Sequence, residues 1–172
     1  MKIIFYVFIS VAIIFLISFC STSTSYETED EIADLIYSNS FESLKDVINW
    51  KGHIELKSDT PRNGGKKSIR VLGGCIIPHT YYLFQPIGEN CSLIIRFWGK
   101  NLMTGGSVNL SDIKNSFREI SVSVEDKSWK KYISSDTLVC HSLDTLMLSF
   151  NSGGVKPSAM LIDNIEIIKV NK

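Results

Sequence analysis

The segment Ala159–Val170, AMLIDNIEIIKV, decides the fold of this chain. It is apolar at nearly every step through Ile162 and then carries an Asp-Asn pair. After the pair the side chains alternate, with Ile165 and Ile167 on one side and Glu166 on the other. Continuous apolar character is typical of a strand covered on both faces, and alternation is typical of a strand with one wet face. The segment therefore predicts a central strand around which the rest of the domain folds.

Upstream of this segment lie short runs of alternating apolar and polar residues, separated by Gly, Pro, Asn and Asp. Such runs indicate strands with one buried face. The predicted strands are 53–57, 68–71, 80–87, 92–98, 119–124, 146–150 and 159–170. A helical turn is expected at 110–116, and no long helix is expected. About eight short strands without a long helix predict an all-β fold, a two-sheet antiparallel β-sandwich or jelly roll.

Residues 1–19 have the layout of a secretory signal peptide, in which a positive Lys2 precedes an almost wholly apolar stretch. The residues leading into Cys20 resemble a bacterial lipobox, although Phe19 stands where a small residue is usual. This resemblance implies lipidation at Cys20 and a membrane-anchored lipoprotein outside the cytoplasm, at the outer membrane, the cell surface or the periplasmic face. The alternative is an uncleaved anchor helix, but the stretch is at the short end of the roughly 20 residues that a membrane span needs.

Residues 20–38 are predicted to form a lipid-anchored tether. They begin with a run of serine and threonine, which cannot bury a core and is typical of a linker. A capping-box pattern at 28–31 then precedes Leu35 and Ile36 at helical spacing, which predicts a short helix or an acidic spacer. The acidity after the lipid cysteine also resembles the surface-export signals of Bacteroidetes lipoproteins. The folded domain is expected to span 39–172.

The charge balance excludes one class of partner. The chain has 18 Lys and Arg residues against 18 Asp and Glu residues, so its formal net charge is zero. A protein that binds nucleic acid or coats an anionic bilayer usually carries a large basic field. We therefore expect no nucleic-acid partner.

Three cysteines remain besides Cys20, namely Cys75, Cys91 and Cys140. An odd set cannot form a complete disulfide framework. Cys75 ends one strand-like run and Cys91 begins another, so the pattern is compatible with a bridge between them. The alternative is three small buried residues.

Five short motifs follow one another in a recognisable order. They are Asn39-Ser40-Phe41-Glu42 followed by Trp50, then the segments 65–71, 92–100, 129–132 and 161–165. In order and spacing they resemble galactose-binding-like jelly-roll domains, which include carbohydrate-binding modules of families 4, 9 and 22. Cys91 or Ser92 stands where these domains have a tyrosine, and Asn164 stands in place of a second aspartate. The resemblance implies a jelly roll over nearly the whole domain.

Members of this superfamily often hold a structural calcium between the first strand and the closing aspartate. In this chain the resemblance assigns Glu42, the backbone carbonyls of Gly64 and Gly65, and Asp163 to such a site. Calcium is bound by six to eight oxygen ligands, so a carboxylate paired with loop carbonyls suits it. The alternative is that Glu42 and Asp163 only cap strand ends.

A sugar site needs a flat aromatic side chain and a few polar groups for the hydroxyls. In the run 92–100, alternation separates Leu93, Ile95 and Phe97 from Arg96, Trp98 and Lys100. The face with the cations is the wet one, so Trp98 and Arg96 are candidate carbohydrate-binding residues. Arg70, Gln85 and either Tyr81 or Tyr82 are expected to join them. The alternatives are that Trp98 only covers a sheet face, or packs under the loop at Gly105 and Gly106; Trp50 and Trp129 are assigned to the core or rim.

Motifs for catalysis are missing from the sequence. It has no G-x-S-x-G, H-E-x-x-H, P-loop or dinucleotide-binding pattern, and its three histidines lack metal-ligand spacing. The residues His79, Tyr81, Tyr82 and Arg96 leave one catalytic alternative, a small jelly-roll polysaccharide lyase. The preferred hypothesis is a non-catalytic glycan-binding surface lipoprotein, and the other alternative is a lipoprotein of the cell envelope that binds a protein partner.

Overall fold

The computed structural model describes residues 34–73, 80–152 and 159–170, with the side chains of Ser116 and Phe117 left out. All of these residues belong to one unit, Ala33–Lys172. The predicted signal peptide, the lipidation at Cys20 and most of the tether lie outside the described residues. Cys75 and His79 lie outside them as well.

The described residues form eleven β-strands and one short 3₁₀ helix. The strands are β1 (Leu35–Asn39), β2 (Ile54–Lys57), β3 (Ser68–Leu72), β4 (Thr80–Leu83), β5 (Cys91–Asn101), β6 (Gly106–Asp112), β7 (Asn115–Val124), β8 (Lys130–Ile133), β9 (Leu138–Cys140), β10 (Leu146–Ser152) and β11 (Ala159–Val170), and the 3₁₀ helix is Leu44–Val47. Within this part of the chain, no helix is long and apolar enough to cross a membrane.

The strands form two antiparallel sheets. Sheet 1 has the order β2-β3-β11-β5-β8, with β1 also paired to β11 and β9 also paired to β5. Sheet 2 has the order β4-β10-β6-β7. The predicted all-β, two-sheet antiparallel β-sandwich is therefore confirmed.

Strand β11 is the central strand of sheet 1, as its sequence predicts. One edge pairs with β5 along most of its length, and the other pairs first with β3 and then with β1. Ile165 and Ile167 are buried while Glu166 is partly exposed. Because the pairing with β5 shifts between Asp163 and Glu166, a β-bulge interrupts the strand directly after the aspartate.

The core lies between the two sheets and is built from the apolar members of each alternating strand. Sheet 1 contributes Ile95 and Phe97 to it, and sheet 2 contributes Leu148 and Phe150. Trp50 stacks on Phe150, with 4.7 Å between ring centroids and an interplanar angle of 16°. Trp50, which the sequence left between core and rim, therefore belongs to the core, and burial of these large side chains is the main stabilising term.

Two expectations about helices are wrong. Leu35 and Ile36, assigned to a short helix, lie in β1, because pairing with β11 satisfies their backbone groups and outweighs the local helical spacing. The first strand thus begins before residue 39, the predicted start of the domain. The helical turn expected at 110–116 is the end of β6, a tight turn and the start of β7, and Asp112 Oδ1 accepts a hydrogen bond from Lys114 N at 3.0 Å in this turn.

Candidate functional site

The outward face of sheet 1 carries the polar side of β5. Leu93, Ile95 and Phe97 have no solvent exposure, whereas Arg96 and Trp98 are partly exposed on the opposite face. The alternation predicted from the sequence is therefore correct, and Trp98 points away from the core.

The register of sheet 1 places further side chains beside Trp98. Asp163 on β11 and Lys131 on β8 lie directly opposite Trp98. At the next position of β5 on this face, two residues from Trp98, Lys100 lies opposite Leu161. Leu161 in turn lies opposite Arg70 on β3. Because paired residues point to the same side of a sheet, Arg70 shares the face of Trp98, as expected.

Two of the expected site residues lie elsewhere. Tyr81 is on β4 in sheet 2, where it pairs with Ser149 and points outward, and Gln85 follows the end of β4 and is exposed. Tyr82 packs into the aromatic cluster of the core. The prediction that these residues join Trp98 is wrong, because alternation assigns a side chain to a face and leaves the sheet undetermined.

The same separation affects the residues proposed for a lyase. Arg96 lies on the outward face of sheet 1, and its Nε donates to Glu166 Oε2 at 2.6 Å. Tyr81 and Tyr82 belong to sheet 2, and His79 lies outside the described residues. The fold therefore does not bring the arginine and the tyrosines of this cluster together.

Asp59 forms hydrogen bonds with two side chains near Trp98. Its carboxylate accepts hydrogen bonds from Lys100 Nζ at 2.7 Å and from Trp129 Nε1 at 2.8 Å. Although partial burial alone would raise its pKa, these two hydrogen bonds hold the pKa of Asp59 below its usual value. Trp129 accordingly lies at the rim of this face, and the sequence left open whether it belongs to the rim or to the core.

An open groove of about 260 Å³ lies on this face. It is lined by Lys57, Ser58, Asp59, Arg70, Leu102 and Leu161. Arg70 Nη1 donates to Glu55 Oε2 at 3.3 Å, whereas Arg70 Nε is buried without a hydrogen-bond partner. The groove therefore combines apolar walls with cationic donors and one carboxylate.

Asp163 lies opposite Trp98 on the same side of sheet 1 and is fully buried. Its Oδ1 accepts a hydrogen bond from Asn164 N at 2.7 Å, while its Oδ2 is buried without a partner. Burial raises the pKa of Asp163 to about 7, and the negative charge of Glu42 adds to the rise. A buried carboxylate oxygen without a partner needs a cation or a proton.

Glu42 and two glycines complete this group. Both carboxylate oxygens of Glu42 accept from Lys66 N, at 3.1 and 3.0 Å. Gly65 has a φ of +84°, and a Cβ there would lie 1.8 Å from Glu42 Oε1; a Cβ on Gly64 would lie 2.7 Å from Asp163 Oδ2. The fold thus brings together the four residues that the resemblance assigned to a calcium site; Gly65 is required by close contact with Glu42, and Gly64 by close contact with Pro61 and Asp163.

Backbone strain is concentrated at the same place. Among the described residues, the non-glycine residues with positive φ are Phe41 (55°), Asn63 (68°) and Asn164 (46°). Each directly adjoins a residue of the group, on three separate segments of the chain. Such conformations cost on the order of 1–3 kcal/mol each and cluster at sites that bind ligands.

The cluster formed by Glu42, Gly64, Gly65 and Asp163 contains only two carboxylate side chains. Within 34–73, 80–152 and 159–170, no three side chains of His, Cys, Asp or Glu are close enough to hold a metal ion together. Glu42 and Asp163 supply two carboxylates, so a calcium ion here would need loop carbonyls or water for its other ligands.

The outward face of sheet 2 is a polar surface that the sequence analysis missed. Ser149 on β10 pairs with Tyr81 on one side and with Asn109 on the other, and Asn109 pairs with Ser121. Ser121 Oγ donates to Asn109 Oδ1 at 2.7 Å, and Asn109 and Ser149 are each 5% exposed. The signal was present as small polar residues between the apolar positions of β6, β7 and β10.

Comparisons with known proteins give a consistent fold. No protein-family model matches the chain, and no curated protein matches its sequence. Among solved structures, the chain is similar to the CBM22-1 xylan-binding domain from Paenibacillus barcinonensis Xyn10C, with a TM-score of 0.58, 16% identity, and coverage of 81% of this chain and 97% of that one. It is also similar to a carbohydrate-binding module from Cellvibrio mixtus lichenase 5A in complex with cellotriose, with a TM-score of 0.54, 15% identity, and coverage of 80% and 100%.

A third similar structure is the enzymatically active domain of bacteriophage CBA120 tailspike protein 4. The TM-score is 0.57 at 14% identity, over 76% of this chain and 20% of that one. These identities establish the fold alone. The chain therefore has the jelly-roll β-sandwich of carbohydrate-binding modules, as its motifs indicate.

Proposed function

We propose that this protein is a non-catalytic carbohydrate-binding protein and that the sugar binds on the outward face of sheet 1, at Trp98 and the adjoining groove. The observation that carries the proposal is the fold, which two solved carbohydrate-binding modules share over at least 97% of their own lengths. Fold similarity alone is a weak warrant for function, so the face itself has to supply suitable chemistry.

The face around Trp98 has the parts that sugar recognition uses. Trp98 on β5 and Trp129, which directly precedes the neighbouring strand β8, supply flat aromatic surface, and Arg70 and Lys100 supply donors for hydroxyl oxygens. Asp59 already holds Lys100 and Trp129 in place. Because these side chains are ordered before binding, less conformational entropy is lost when a sugar arrives.

A structural calcium ion is the second part of the proposal. Glu42 and Asp163 would hold it, together with carbonyl oxygens of the loop that contains Gly64. Three observations support this fit: the unpartnered Asp163 Oδ2, the close approach of both glycines to the carboxylates, and the strained residues around them. When bound, the ion supplies positive charge that offsets two nearby carboxylates. Since Asp163 lies opposite Trp98, the ion would stiffen the strand that supports the binding face.

The test is affinity electrophoresis of the full chain in mild detergent through gels that contain different polysaccharides, with calcium or with chelator. We expect one class of glycan to retard the protein, and Trp98→Ala to abolish the retardation. Tyr81→Ala is the matched control, because it removes an outward aromatic side chain from sheet 2. Loss of binding in Tyr81→Ala with normal binding in Trp98→Ala would contradict the proposed face and place the site on sheet 2.

A protein partner is the second candidate function. At the other end of the same face, Leu35, Ile133 and Val139 are 56%, 55% and 46% exposed. Exposed apolar side chains that share one face favour a protein interface. If no polysaccharide retards a folded protein, this function is preferred. A new unsaturated product in the same mixtures, detected by its ultraviolet absorbance, would contradict the non-catalytic part of the proposal.

The cellular setting is also a proposal. We infer from the signal-like residues 1–19 that the protein is a lipoprotein anchored through Cys20 outside the cytoplasm. Metabolic labelling with a radioactive fatty acid tests this directly. Label should enter the wild-type chain and should be lost in Cys20→Ala; equal labelling of both chains would refute the assignment.

A further inference from the structure

We propose that Cys91 and Cys140 form an intramolecular disulfide that joins β5 to β9. The two residues are directly opposite in the register of this strand pair. In antiparallel sheets, directly opposed Cα atoms are about 4.5 or 5.5 Å apart, depending on the hydrogen-bonding pattern. Both separations lie within the range of about 4.4–6.8 Å that disulfides span.

The two thiols already interact. The structure has both cysteines in the reduced form, Cys140 fully buried and Cys91 partly exposed. Burial raises the pKa of both thiols, and each thiol also perturbs the pKa of the other; Cys140 Sγ donates to His141 O at 3.4 Å. From the sequence alone, a bridge from Cys91 to Cys75 and three small buried residues were both left open, because cross-strand register is not visible in a sequence.

The bond would stabilise the pairing of the short strand β9 with β5 in sheet 1. Strand β9 has three residues and, in the described structure, its ladder pairing is to β5. Beyond Cys140, the turn is connected to the start of β5 by Ser142 N donating to Asn90 Oδ1 at 3.0 Å and Gly88 N donating to Ser142 O at 3.1 Å. A covalent bond between Cys91 and Cys140 would join the same two turns, so it would stop this corner from opening.

The reaction is thiol–disulfide exchange with a disulfide oxidant, either a small-molecule disulfide or a disulfide oxidoreductase. Cys91, the accessible residue, loses its proton and its sulfur attacks the oxidant, which releases one thiolate and leaves a mixed disulfide on Cys91. Cys140 then loses its proton and attacks the Cys91 sulfur, which releases the second thiolate. Two protons pass from the cysteines to the two thiolates, and the oxidant disulfide is reduced to two thiols. In the dithiol form, burial first and the adjacent Cys91 second raise the pKa of Cys140 to about 12, so the more accessible Cys91 is the residue that attacks the oxidant.

The test uses the full chain in mild detergent, oxidised with glutathione disulfide and then blocked with a thiol-alkylating reagent. Trypsin with a glutamate-specific protease cuts after Arg70, Glu89 and Arg96, so Cys75 and Cys91 fall on different peptides. Mass spectrometry of the digest should find the peptide of Cys91 linked to that of Cys140. Alkylation of both residues, or a link from Cys91 to Cys75, would overturn the proposal.

A stability measurement provides a second, independent readout. The bond closes a loop of about 50 residues, for which the chain-entropy relation and the usual size scaling predict a rise in Tm on the order of 10 °C. Reductant should therefore lower the Tm of the oxidised wild type and leave the Tm of Cys91→Ser unchanged. Cys91 is the residue to replace because it is partly exposed, whereas Cys140 is part of the core. An equal response of both proteins to reductant would contradict a bond that stabilises the fold.

Discussion

Replacing Asp163 with asparagine tests the buried carboxylate group most directly. The substitution keeps the size of the side chain and removes its ability to ionise. In the wild type, burial raises the pKa of Asp163 from 3.8 to about 7. A folded-state pKa above the unfolded value means that the folded protein holds a proton that the unfolded chain has lost.

The size and sign of the effect follow from this shift. Below pH 4 the carboxyl group is neutral in both states, so its burial carries no charge penalty. Between pH 4 and 7 the unfolded chain ionises and the folded chain does not, so the free energy of unfolding falls by about 1.4 kcal/mol per pH unit. Above pH 7 the metal-free protein has lost about 4 kcal/mol relative to acid pH from this group alone. Asp163→Asn should lack this loss and should therefore be more stable than the wild type at pH 8 in chelator.

Calcium should narrow this difference in stability. An ion that binds only the folded state stabilises it by about 2.7 kcal/mol at a free concentration 100 times its Kd. The wild type should gain this stability at pH 8, whereas Asp163→Asn has lost one of the two carboxylates and should gain much less.

The assay is urea denaturation followed by tryptophan fluorescence, from pH 4 to pH 8, with chelator and with calcium. Comparing the wild type with Asp163→Asn cancels the pH dependence of all other groups. Glu125→Gln is the matched control, since it removes a negative charge from an exposed position. The reasoning is refuted if Asp163→Asn in chelator shows the same dependence on pH as the wild type. An equal response of both proteins to calcium would remove the metal from the proposal and leave the buried carboxylate as a structural feature.

Three further substitutions have expected outcomes that the same denaturation assay measures. Gly65→Ala should destabilise the domain by about 2 kcal/mol or more, because its backbone is left-handed and the new Cβ would collide with Glu42; a neutral result would contradict the close approach. Arg118→Ala should cost about 3 kcal/mol, because Asp112 is 3% exposed and would lose the cation 3.1 Å away, and a loss below 1 kcal/mol would show that water replaces it. Trp50→Ala should cost about 3–5 kcal/mol by opening a cavity in the core, and a smaller loss would mean that the aromatic cluster collapses around the gap.

Much of the fold could be predicted because strands leave a local signal. Alternation correctly separated Phe97 from Trp98 and marked the strands that the structure has at 54–57, 68–72 and 91–101. The short strands β8 and β9 were missed, since they have four and three residues and too little alternation to recognise. The resemblance to a family predicted that Glu42, Gly64, Gly65 and Asp163 form a cluster, and these four residues do lie together. Local pattern alone would not have connected Glu42 to Asp163.

What the sequence by itself determined is the character of each segment: which side chains point inward, that the chain is all-β, and that Ala159–Val170 is its central strand. These are properties of a two-residue repeat and of continuous apolar character, which neighbouring residues along the chain specify. Only the tertiary structure decided that Tyr81 lies in the other sheet from Trp98, and that Cys91 faces Cys140. Those facts depend on pairing between strands that are distant in sequence, and the free energy of that pairing comes from the packing of both sheets around one core.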